Sequence, residues 1–214
     1  MTSLVQNASI DFQSVAAAFT RQSVHYDDYE KSNPILYWMR KQVWQHVESF
    51  LKPNSRILEL NSGTGIDAVH FAQLGHHVHA TDISDGMLLQ LENKIRQHQL
   101  EKQITFQQCS FTALEQIPTQ QFDYIFSNFG GLNCIEDLKI VTHHLPRLLK
   151  ASGIVTWVIL PRICPWEILM GLKGHLRLAA RRFKKGGSPA HIEGVHFKCF
   201  YHSPAPVMRA MGKN

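Results

Sequence analysis

The sequence contains few cysteines and none in close pairs. Cys109, Cys134, Cys164 and Cys199 lie 25, 30 and 35 residues apart, so there is no CxxC motif of the kind that metal and redox centres use. Thiols this sparse suit a reducing compartment. The first residues, MTSLVQNASIDFQ, lack the basic and apolar regions of a signal peptide. We therefore expect a cytoplasmic protein without a metal site.

Long uninterrupted apolar runs are also missing. The most apolar stretch, Gly153–Leu172, contains Pro161, Arg162, Pro165 and Glu167, which makes it unsuitable as a membrane span. There is no internal repeat and no low-complexity tract. The 214 residues, 44% of them hydrophobic, are enough to bury the core of one domain. We therefore predict a single domain over residues 1–214.

Positive charge is in excess, but it is unevenly distributed. The net charge of +5 would by itself suggest a polyanionic partner. Residues 162–185 contain seven basic residues and one acidic residue, a net charge of +6, which leaves −1 for the rest of the chain. The chain is therefore a nearly neutral protein with one basic insert.

Short apolar runs alternate with helical patterns between residues 56 and 160. A helix is predicted over residues 34–51, and a shorter one over Asp11–Gln22, joined by the polar stretch SVHYDDYEKSN. Later helices are predicted near residues 66–74, 84–98 and 135–150. The five predicted strands are Arg56–Leu60, Val78–Thr81, Ile104–Gln107, Phe122–Ser127 and Ile154–Leu160. This alternation predicts an α/β fold, a three-layer sandwich whose mostly parallel sheet has helices on both faces.

Beyond residue 161 the pattern changes. The basic insert is predicted to be helical up to Lys185, and GGSPAH after it is predicted to be a flexible break. The alternating HFKCFYH, residues 196–202, indicates a strand, and Ser203–Met211 a last helix capped by Ser203. The insert also has an apolar face, which makes it a basic amphipathic element; its members are Trp166, Leu169, Leu172, Leu176, Ala179 and Phe183.

The turn after the first strand is the segment that indicates chemistry. Residues 57–82 read ILELNSGTGIDAVHFAQLGHHVHATD. Gly63 and Gly65 lack Cβ atoms, so the backbone can approach a ligand closely at the carboxyl end of the strand. Asp82 ends the next strand, where a carboxylate can accept hydrogen bonds from both hydroxyls of a ribose. The segment is therefore typical of a site for a nucleoside-containing cofactor.

Two cofactors are compatible with this segment. The residues from Gly63 to Ala68 satisfy GxGxxA, with Asp82 following 17 residues after Gly65, as in dinucleotide sites. Three details favour S-adenosylmethionine instead. The carboxylate of Glu59 suits a cationic ammonium group and repels a pyrophosphate, Asn61 and Ser62 separate the strand from the first glycine, and an amide, Asn128, ends the fourth strand. An NAD(P)-dependent oxidoreductase remains the alternative.

Five segments in order resemble the motifs of the class I, Rossmann-like S-adenosylmethionine-dependent methyltransferases of the small-molecule type. LELNSGTG is similar to their first motif, ExGxGTG, and ATDIS to the motif of the second strand. CSF, FDYIFSNFGGL and LPRLLKASGIVTWVILP are similar to the later motifs, and the resemblance covers roughly residues 11–161. It implies a methyltransferase that uses S-adenosylmethionine, releases S-adenosylhomocysteine and acts on a small-molecule acceptor.

The resemblance also implies roles for individual residues. Asp82 would hold the ribose, while Glu59 and the turn would hold the methionine part. Met87, Ser110 and Phe111 would surround the adenine, and an aromatic residue or an arginine of the N-terminal region would reach the methionine part. No catalytic base is assigned. The full set of candidate cofactor-binding residues is Glu59, Asn61, Ser62, Gly63, Gly65, Asp82, Ile83, Met87, Ser110, Phe111, Asn128, Phe129, Tyr29 and Arg40.

The sequence departs from the family pattern in three places. Asn61 replaces the first glycine, but asparagine tolerates a left-handed backbone, so we expect the turn to form. Ser110 replaces an aspartate. Its hydroxyl can still accept a hydrogen bond, but it lacks the negative charge of a carboxylate. The family sheet continues with two further strands that this sequence lacks, and we expect a truncated piece. These departures also keep open a third possibility, a non-catalytic binding module with a methyltransferase-like fold.

The predicted organisation is an N-terminal helical lid at residues 1–52, a cofactor-binding core at 53–161 and the basic helical insert at 162–190. Through residues 162–185 the insert would meet an anionic substrate or a membrane surface. A nucleic-acid partner is not expected, because the fourth-strand loop reads SNFGG and not the (N/D/S)PP(Y/F/W) that the resemblance would imply for base methylation. The sequence predicts no oligomeric state.

Overall fold

The computed structural model describes residues 2–118 and 121–212, with side chains from residue 12 onward. Five parallel strands form the central sheet in the order β3-β2-β1-β4-β5. Their bounds are β1 Arg56–Leu60, β2 His77–Asp82, β3 Ile104–Gln108, β4 Phe122–Ser127 and β5 Leu149–Trp157. The predicted α/β class with a parallel sheet is confirmed.

Helices cover both faces of the sheet. Its central strand alternates between the two faces, with Ile57 in one hydrophobic cluster and Leu58 in the other, and both side chains are fully buried. The first cluster includes helices α3 (Pro34–Glu48), α4 (Ile66–Gln73) and α5 (Asp85–His98). The second includes α6 (Lys139–Thr142), α7 (Leu145–Leu148) and α10 (Pro204–Met211). The sandwich therefore has the three predicted layers.

The N-terminal region is more helical than the sequence indicates. Helix α1 runs over Thr2–Gln22, and α2 (Tyr26–Ser32) occupies most of the polar stretch that the sequence predicts to be a linker. Asn33 separates α2 from α3 and caps the latter, because its Oδ1 accepts hydrogen bonds from the Ile35 and Leu36 N–H groups at 3.1 and 3.4 Å. A helix as short and as acidic as α2 has too weak an apolar pattern to be detected from the sequence.

Two predictions before and within the fifth strand need correction. The helix predicted over residues 135–150 consists of the short α6 and α7, and β5 begins at Leu149, five residues earlier than predicted. Pro146 lies in the first turn of α7, where proline is compatible with a helix start but not with a continuous helix. The sheet therefore gains length at the expense of the preceding helix.

The segment GGSPAH does not form the predicted flexible break. Ser188–Ile192 (β6) pairs antiparallel with Val195–Cys199 (β7). Glu193 and Gly194 turn the chain with φ values of 47° and 77°, which is the backbone of a tight hairpin turn. The hairpin packs on α1 through Phe197, Val15 and Ala18. It therefore fixes α1 above the carboxyl edge of the sheet.

The basic insert is divided into helices α8 (Pro165–Leu172) and α9 (Leu176–Ala180), followed by a 3-10 turn at Arg181–Phe183. The predicted continuous helix breaks at Gly174, where φ is 92°. The buried Glu167 accepts hydrogen bonds from Arg181 at 2.6 and 2.9 Å and from Arg182 at 2.8 Å. These bonds hold α8 against the segment that follows α9.

Within residues 2–118 and 121–212, no helix combines the length and the apolarity needed to cross a membrane.

Candidate active site

The site is built on the turn that joins β1 to α4. Asn61, Gly63 and Gly65 have φ values of 49°, 56° and 79°, so Asn61 takes the left-handed conformation expected of it. At Gly65 a Cβ atom would lie 2.2 Å from Leu91 Cδ1, so any other residue would have to displace that side chain. At Gly63 a Cβ atom would have Met87 Sδ, 3.9 Å away, as its nearest neighbour. The turn therefore leaves open space beside Gly63.

Asp82 closes the site from the end of β2. Its Oδ2 accepts a hydrogen bond from the Gly63 N–H at 2.8 Å and its Oδ1 from the Ser84 N–H at 2.9 Å. Burial raises the pKa of the Asp82 carboxyl, and the two N–H donors partly oppose that rise. Each carboxylate oxygen can accept a second hydrogen bond. Asp82 is therefore fixed in orientation and still able to bind two hydroxyls.

Glu59 lies beneath the turn with only 2% of its surface exposed. Its Oε2 is buried and has no hydrogen-bond partner among the described residues. Burial, followed by the negative charge of Asp67, raises the pKa of the Glu59 carboxyl well above its usual range. A buried carboxylate oxygen without a donor is an acceptor for a cationic or N–H-bearing ligand.

A buried ionic network lies beside Glu59. Arg40 donates to both oxygens of Glu30 at 2.7 and 2.8 Å and to Asp67 at 2.5 Å. Asp67 also accepts from Trp44 Nε1 at 2.6 Å and from Asn128 Nδ2 at 3.0 Å. Burial alone would lower the pKa of Arg40, but Asp67 and Glu30 raise it. The network therefore contains a permanently charged guanidinium held between two carboxylates.

The loop after β4 is attached to the turn after β1. Ser127 donates to Asn61 Oδ1 at 2.8 Å, and Asn61 Nδ2 donates to the carbonyl of Asn128 at 3.3 Å. Phe129 has a φ of 48°, a conformation that costs an aromatic residue energy. Its ring lies 4.4 Å from the Arg40 guanidinium carbon, a distance typical of a cation–π contact. The two loops therefore form one surface at the carboxyl edge of the sheet.

Two cavities border this surface and share five lining residues, Tyr26, Asn61, Gly63, Asn128 and Phe129. The first is mostly apolar and extends between β2 and α1. The second extends towards the ionic network. Besides the shared residues, the first is lined by Val15, Phe19, Asp82, Ile83, Met87, Cys109, Phe111, Gly131 and Cys134, and the second by Arg40, Ser62, Thr64, Ile66 and Asp67.

Ten of the fourteen candidate residues line one or both cavities, and four do not. Glu59 is buried in β1 beneath the turn, and Gly65, the last residue of the turn, packs against Leu91. The Ser110 hydroxyl is hydrogen-bonded to Thr112: its Oγ lies 2.8 Å from Thr112 Oγ1 and accepts a hydrogen bond from the Thr112 N–H at 3.2 Å. Tyr29 is 53% exposed on the outer side of α2, because this short helix presents Tyr26, not Tyr29, to the cavities.

Sequence reasoning missed several residues that line the cavities. Asp67 has a signal in the sequence, since it follows the second glycine of the turn by two residues and begins the buried face of α4. Phe19 and Cys134 have none, because they come from helix α1 and from a 3-10 turn that only the tertiary fold brings together.

Burial raises the pKa of the lining Cys109 thiol to about 11, so Cys109 is a neutral lining group at pH 7. No cluster of three metal-ligating side chains occurs within the described ranges.

The strand order and the turn define the Rossmann-like fold of class I methyltransferases, with the cavities at the point where the strand order reverses. Residues 57–153 match the methyltransferase domain family. The resemblance found in the sequence motifs is therefore supported over residues 57–153, which are similar to methyltransferase domains. The match favours methyl transfer over the dinucleotide alternative.

Curated relatives of this chain are methyltransferases, and a solved structure shares its fold. The chain is 28% identical over 131 residues to a ubiquinone/menaquinone biosynthesis C-methyltransferase of Proteus mirabilis, covering 58% of this chain and 51% of that protein. It is 32% identical over 142 residues to a demethylmenaquinone methyltransferase of Clavibacter sepedonicus, covering 65% and 55%. The chain thus spans about half the length of these curated relatives. The fold resembles DhpI in a complex with SAH, with a TM-score of 0.63, 19% identity and coverage of 93% and 84%.

Proposed function

We propose that this protein is an S-adenosylmethionine-dependent methyltransferase that acts on a small-molecule acceptor in the cytoplasm. The observation that carries the proposal is the pairing of Asp82 with the Gly63 N–H at the mouth of a cavity, above the unpartnered carboxylate oxygen of Glu59. A ribose needs fixed acceptors, and a cationic amino acid needs a carboxylate. The residues present therefore fit this cofactor.

Each part of the cofactor has a matching group on the chain. Asp82 would accept from the ribose hydroxyls, and Met87, Ile83 and Phe111 would pack on the adenine. Glu59 and the backbone of residues 61–65 would hold the methionine part, with Arg40 and Asp67 at the same end. Ser110 and Tyr29 are not included, because Ser110 is engaged with Thr112 and Tyr29 faces solvent.

When bound, S-adenosylmethionine supplies a methyl group on a cationic sulfonium, which is already an electrophile. The chain's own contribution is then mainly position, since a fixed geometry can supply most of the rate of an in-line displacement. The Arg40 network holds α2 and the loop after β4 in place, and Phe19 and Tyr26 restrict water from the first cavity. We assign no catalytic base.

The organisation of the chain follows from these roles. Residues 1–52 would act as a lid, residues 53–161 as the cofactor-binding core and residues 162–190 as the basic insert. The acceptor would enter beside the cofactor, at the part of the first cavity that is lined by Val15, Phe19, Phe129 and Cys134, a lining that favours an apolar small molecule. Through residues 162–185 the insert would meet an anionic substrate or a membrane surface.

Calorimetry with S-adenosylhomocysteine tests the proposal, and Gly63→Ala is the informative variant. A Cβ at Gly63 would occupy the open space beside Met87, so we expect S-adenosylhomocysteine binding at least about tenfold weaker. Gly75→Ala is the matched control, because Gly75 also has a left-handed backbone, and a Cβ added there would meet no atom within 4 Å. Both variants carry a similar backbone strain of about 1–2 kcal/mol, but only Gly63 borders a cavity.

Two outcomes would contradict the proposal. One is the absence of S-adenosylmethionine and S-adenosylhomocysteine binding by a chain with a folded circular dichroism spectrum. The other is equal weakening by Gly63→Ala and Gly75→Ala, which would mean that strain, not occupation of the cavity, affects binding. Transfer of labelled methyl from S-adenosylmethionine to a metabolite extract would separate an enzyme from a non-catalytic binding module.

A further inference from the structure

An apolar ridge runs along the outside of the α8–α9 hairpin. We define the ridge as Ile163, Trp166, Leu169, Leu172, Leu176 and Phe183. Leu172 is 83% exposed, Leu176 70%, Trp166 65% and Ile163 61%. Single exposed apolar side chains are common on protein surfaces, but six in one short segment are characteristic of an interaction site.

Ion pairs and close packing hold the two helices of the hairpin together. Glu167 is buried between Arg181 and Arg182, and the Arg181 hydrogen bond lowers the pKa of the Glu167 carboxyl to about 2. Arg182 also donates to the Pro161 carbonyl at 2.7 Å and lies 4.6 Å from the centre of the Tyr201 ring. Gly171 packs on Ala179, because a Cβ on Gly171 would lie 2.6 Å from that of Ala179. The inner side of the hairpin is therefore ion-paired and packed, and the ridge is left as its outer side.

Basic residues alternate with the apolar residues along the same segment of the chain. Arg181 and Arg182 are taken by Glu167, but five other basic side chains of the segment are exposed and form no salt bridge within the described parts of the chain. These five, which we call the basic rim, are Arg162, Lys173, Arg177, Lys184 and Lys185. The segment therefore combines exposed apolar side chains with positive charge that forms no salt bridge among the described residues.

The base of the hairpin adjoins the candidate active site. Leu160 N–H donates to Asn133 Oδ1 at 2.8 Å, and Asn133 Nδ2 donates back to the Leu160 carbonyl at 3.1 Å. Leu160 also lies against Gly130, since a Cβ on Gly130 would be 3.0 Å from Leu160 Cγ. Gly130 separates Phe129 and Gly131, which line the first cavity. The hairpin thus begins at the cavity mouth.

We propose that the apolar ridge and the basic rim dock this protein on an anionic phospholipid surface, next to which the first cavity takes up an apolar acceptor. Apolar side chains ringed by lysine and arginine insert at the headgroup boundary of a bilayer, and each nearby cation adds attraction to anionic lipid. A second copy of this chain would bring the same positive rim against itself, which is electrostatically unfavourable. The docking is independent of the proposed function, whereas the origin of the acceptor rests on it.

Co-sedimentation of the full chain with vesicles tests the docking. We compare vesicles of phosphatidylcholine alone with vesicles that also contain phosphatidylglycerol. We expect binding to the anionic vesicles, weak binding to the neutral ones and a loss of binding as salt is raised, because salt screens charges at a surface. Equal binding to both vesicles, or to neither, would overturn the proposal.

Charge variants identify the surface that binds. Replacing Lys173, Arg177, Lys184 and Lys185 with glutamine should weaken binding to the anionic vesicles about a hundredfold or more. The matched control replaces four exposed lysines outside the insert, Lys41, Lys52, Lys102 and Lys139, and should change binding little. A similar loss in both variants would mean that only net charge matters and would contradict a site on the hairpin.

Apolar variants test the ridge itself. L172S/L176S should weaken vesicle binding about tenfold or more, whereas L74S/L89S, two exposed leucines elsewhere, should leave it unchanged. If L172S/L176S instead dissociates an oligomer and has no effect on vesicles, the ridge binds a second copy and the proposal is wrong. Calorimetry with S-adenosylhomocysteine on the same variants separates the two proposals, because docking can fail while cofactor binding persists, and the reverse.

Discussion

Among single residues, Glu59 shows how the site exchanges stability for binding. Its carboxyl is buried at the centre of the sheet, and one oxygen has no partner among the described residues. The pKa of the carboxyl is raised because burial disfavours the ionised form. A residue chosen for stability alone would be neutral here, so the carboxylate points to a ligand that requires its charge.

Glu59→Gln should stabilise the protein near neutral pH. In the unfolded chain Glu59 ionises above its usual pKa of 4.5, whereas the folded state resists ionisation, so stability falls as pH rises between the two pKa values. The glutamine variant lacks this penalty. We expect its free energy of unfolding to exceed that of the wild type by on the order of 1 kcal/mol or more at pH 8 and by much less at pH 4, measured by urea denaturation.

Glu101→Gln, on the exposed turn after α5, is the control and should show no such pH dependence. A stability gain for Glu59→Gln that is equal at pH 4 and pH 8 would argue against ionisation as the cause. The same substitution should weaken S-adenosylmethionine binding, since it removes the carboxylate that the proposed function assigns to the methionine part.

Between elements, Arg40 is the main ionic connection. It lies on α3, pairs with Glu30 on α2 and with Asp67 on α4, and its guanidinium contacts the Phe129 ring after β4. Neither carboxylate is predictable as its partner from the sequence, because each pair depends on how three helices meet. Arg40 therefore joins the proposed lid to the core, together with the Lys94–Asp27 ion pair at 2.6 Å.

Arg40→Met should destabilise the fold by about 3–5 kcal/mol, because it leaves Glu30 and Asp67 buried without a cation. Urea denaturation measures the loss, and hydrogen exchange should show faster exchange in Tyr26–Ser32. Lys41→Met, on the exposed side of the same helix, is the control and should be close to neutral. The combined variant R40M/E30Q/D67N should recover much of the loss; if it does not, packing of the arginine, not charge, explains its role.

At the scale of the whole molecule, the sheet is buried at its centre and open at its edge strands, of which β5 is one. Ile57 and Leu58 on β1 are fully buried, whereas no residue of β5 is. In the parts of the chain that the structure describes, β5 pairs only with β4. The outer backbone groups of an apolar strand are thereby left without a partner strand, which is a known liability for self-association.

Hydrogen exchange followed by mass spectrometry should reflect this difference between the central strands and the edge strand β5. Amides of β1 and β4 should exchange slowest, because they open only with the whole fold, and amides of β5 should exchange faster through local opening. The comparison is made at two protein concentrations. Protection of β5 equal to that of β1 would contradict the prediction, and protection that increases with concentration would mean that a second copy covers the edge.

The sequence by itself determined the α/β class, the five strands and the left-handed turn, and it named ten residues that line the two cavities. These features follow from local patterns, namely apolar runs, glycine spacing and helix-capping residues. Ser84 is such a cap, since its side chain accepts a hydrogen bond from the Met87 N–H at 3.1 Å. The bounds of β1 and β4 agree with prediction because each strand is a short apolar run, and the polar residues on either side of the run mark where the strand begins and ends.

Only the tertiary structure decided which residues meet. It selected Tyr26 and not Tyr29 at the cavities and placed the SPAH part of GGSPAH in a strand that supports α1. It also paired Arg181 and Arg182 with Glu167, which removes them from the free charge of the insert. It also left the apolar side of α8 and α9 exposed, although an amphipathic pattern alone is equally compatible with a buried one. The physical reason is that these outcomes depend on contacts between residues far apart in the chain, and local patterns carry no information about such contacts.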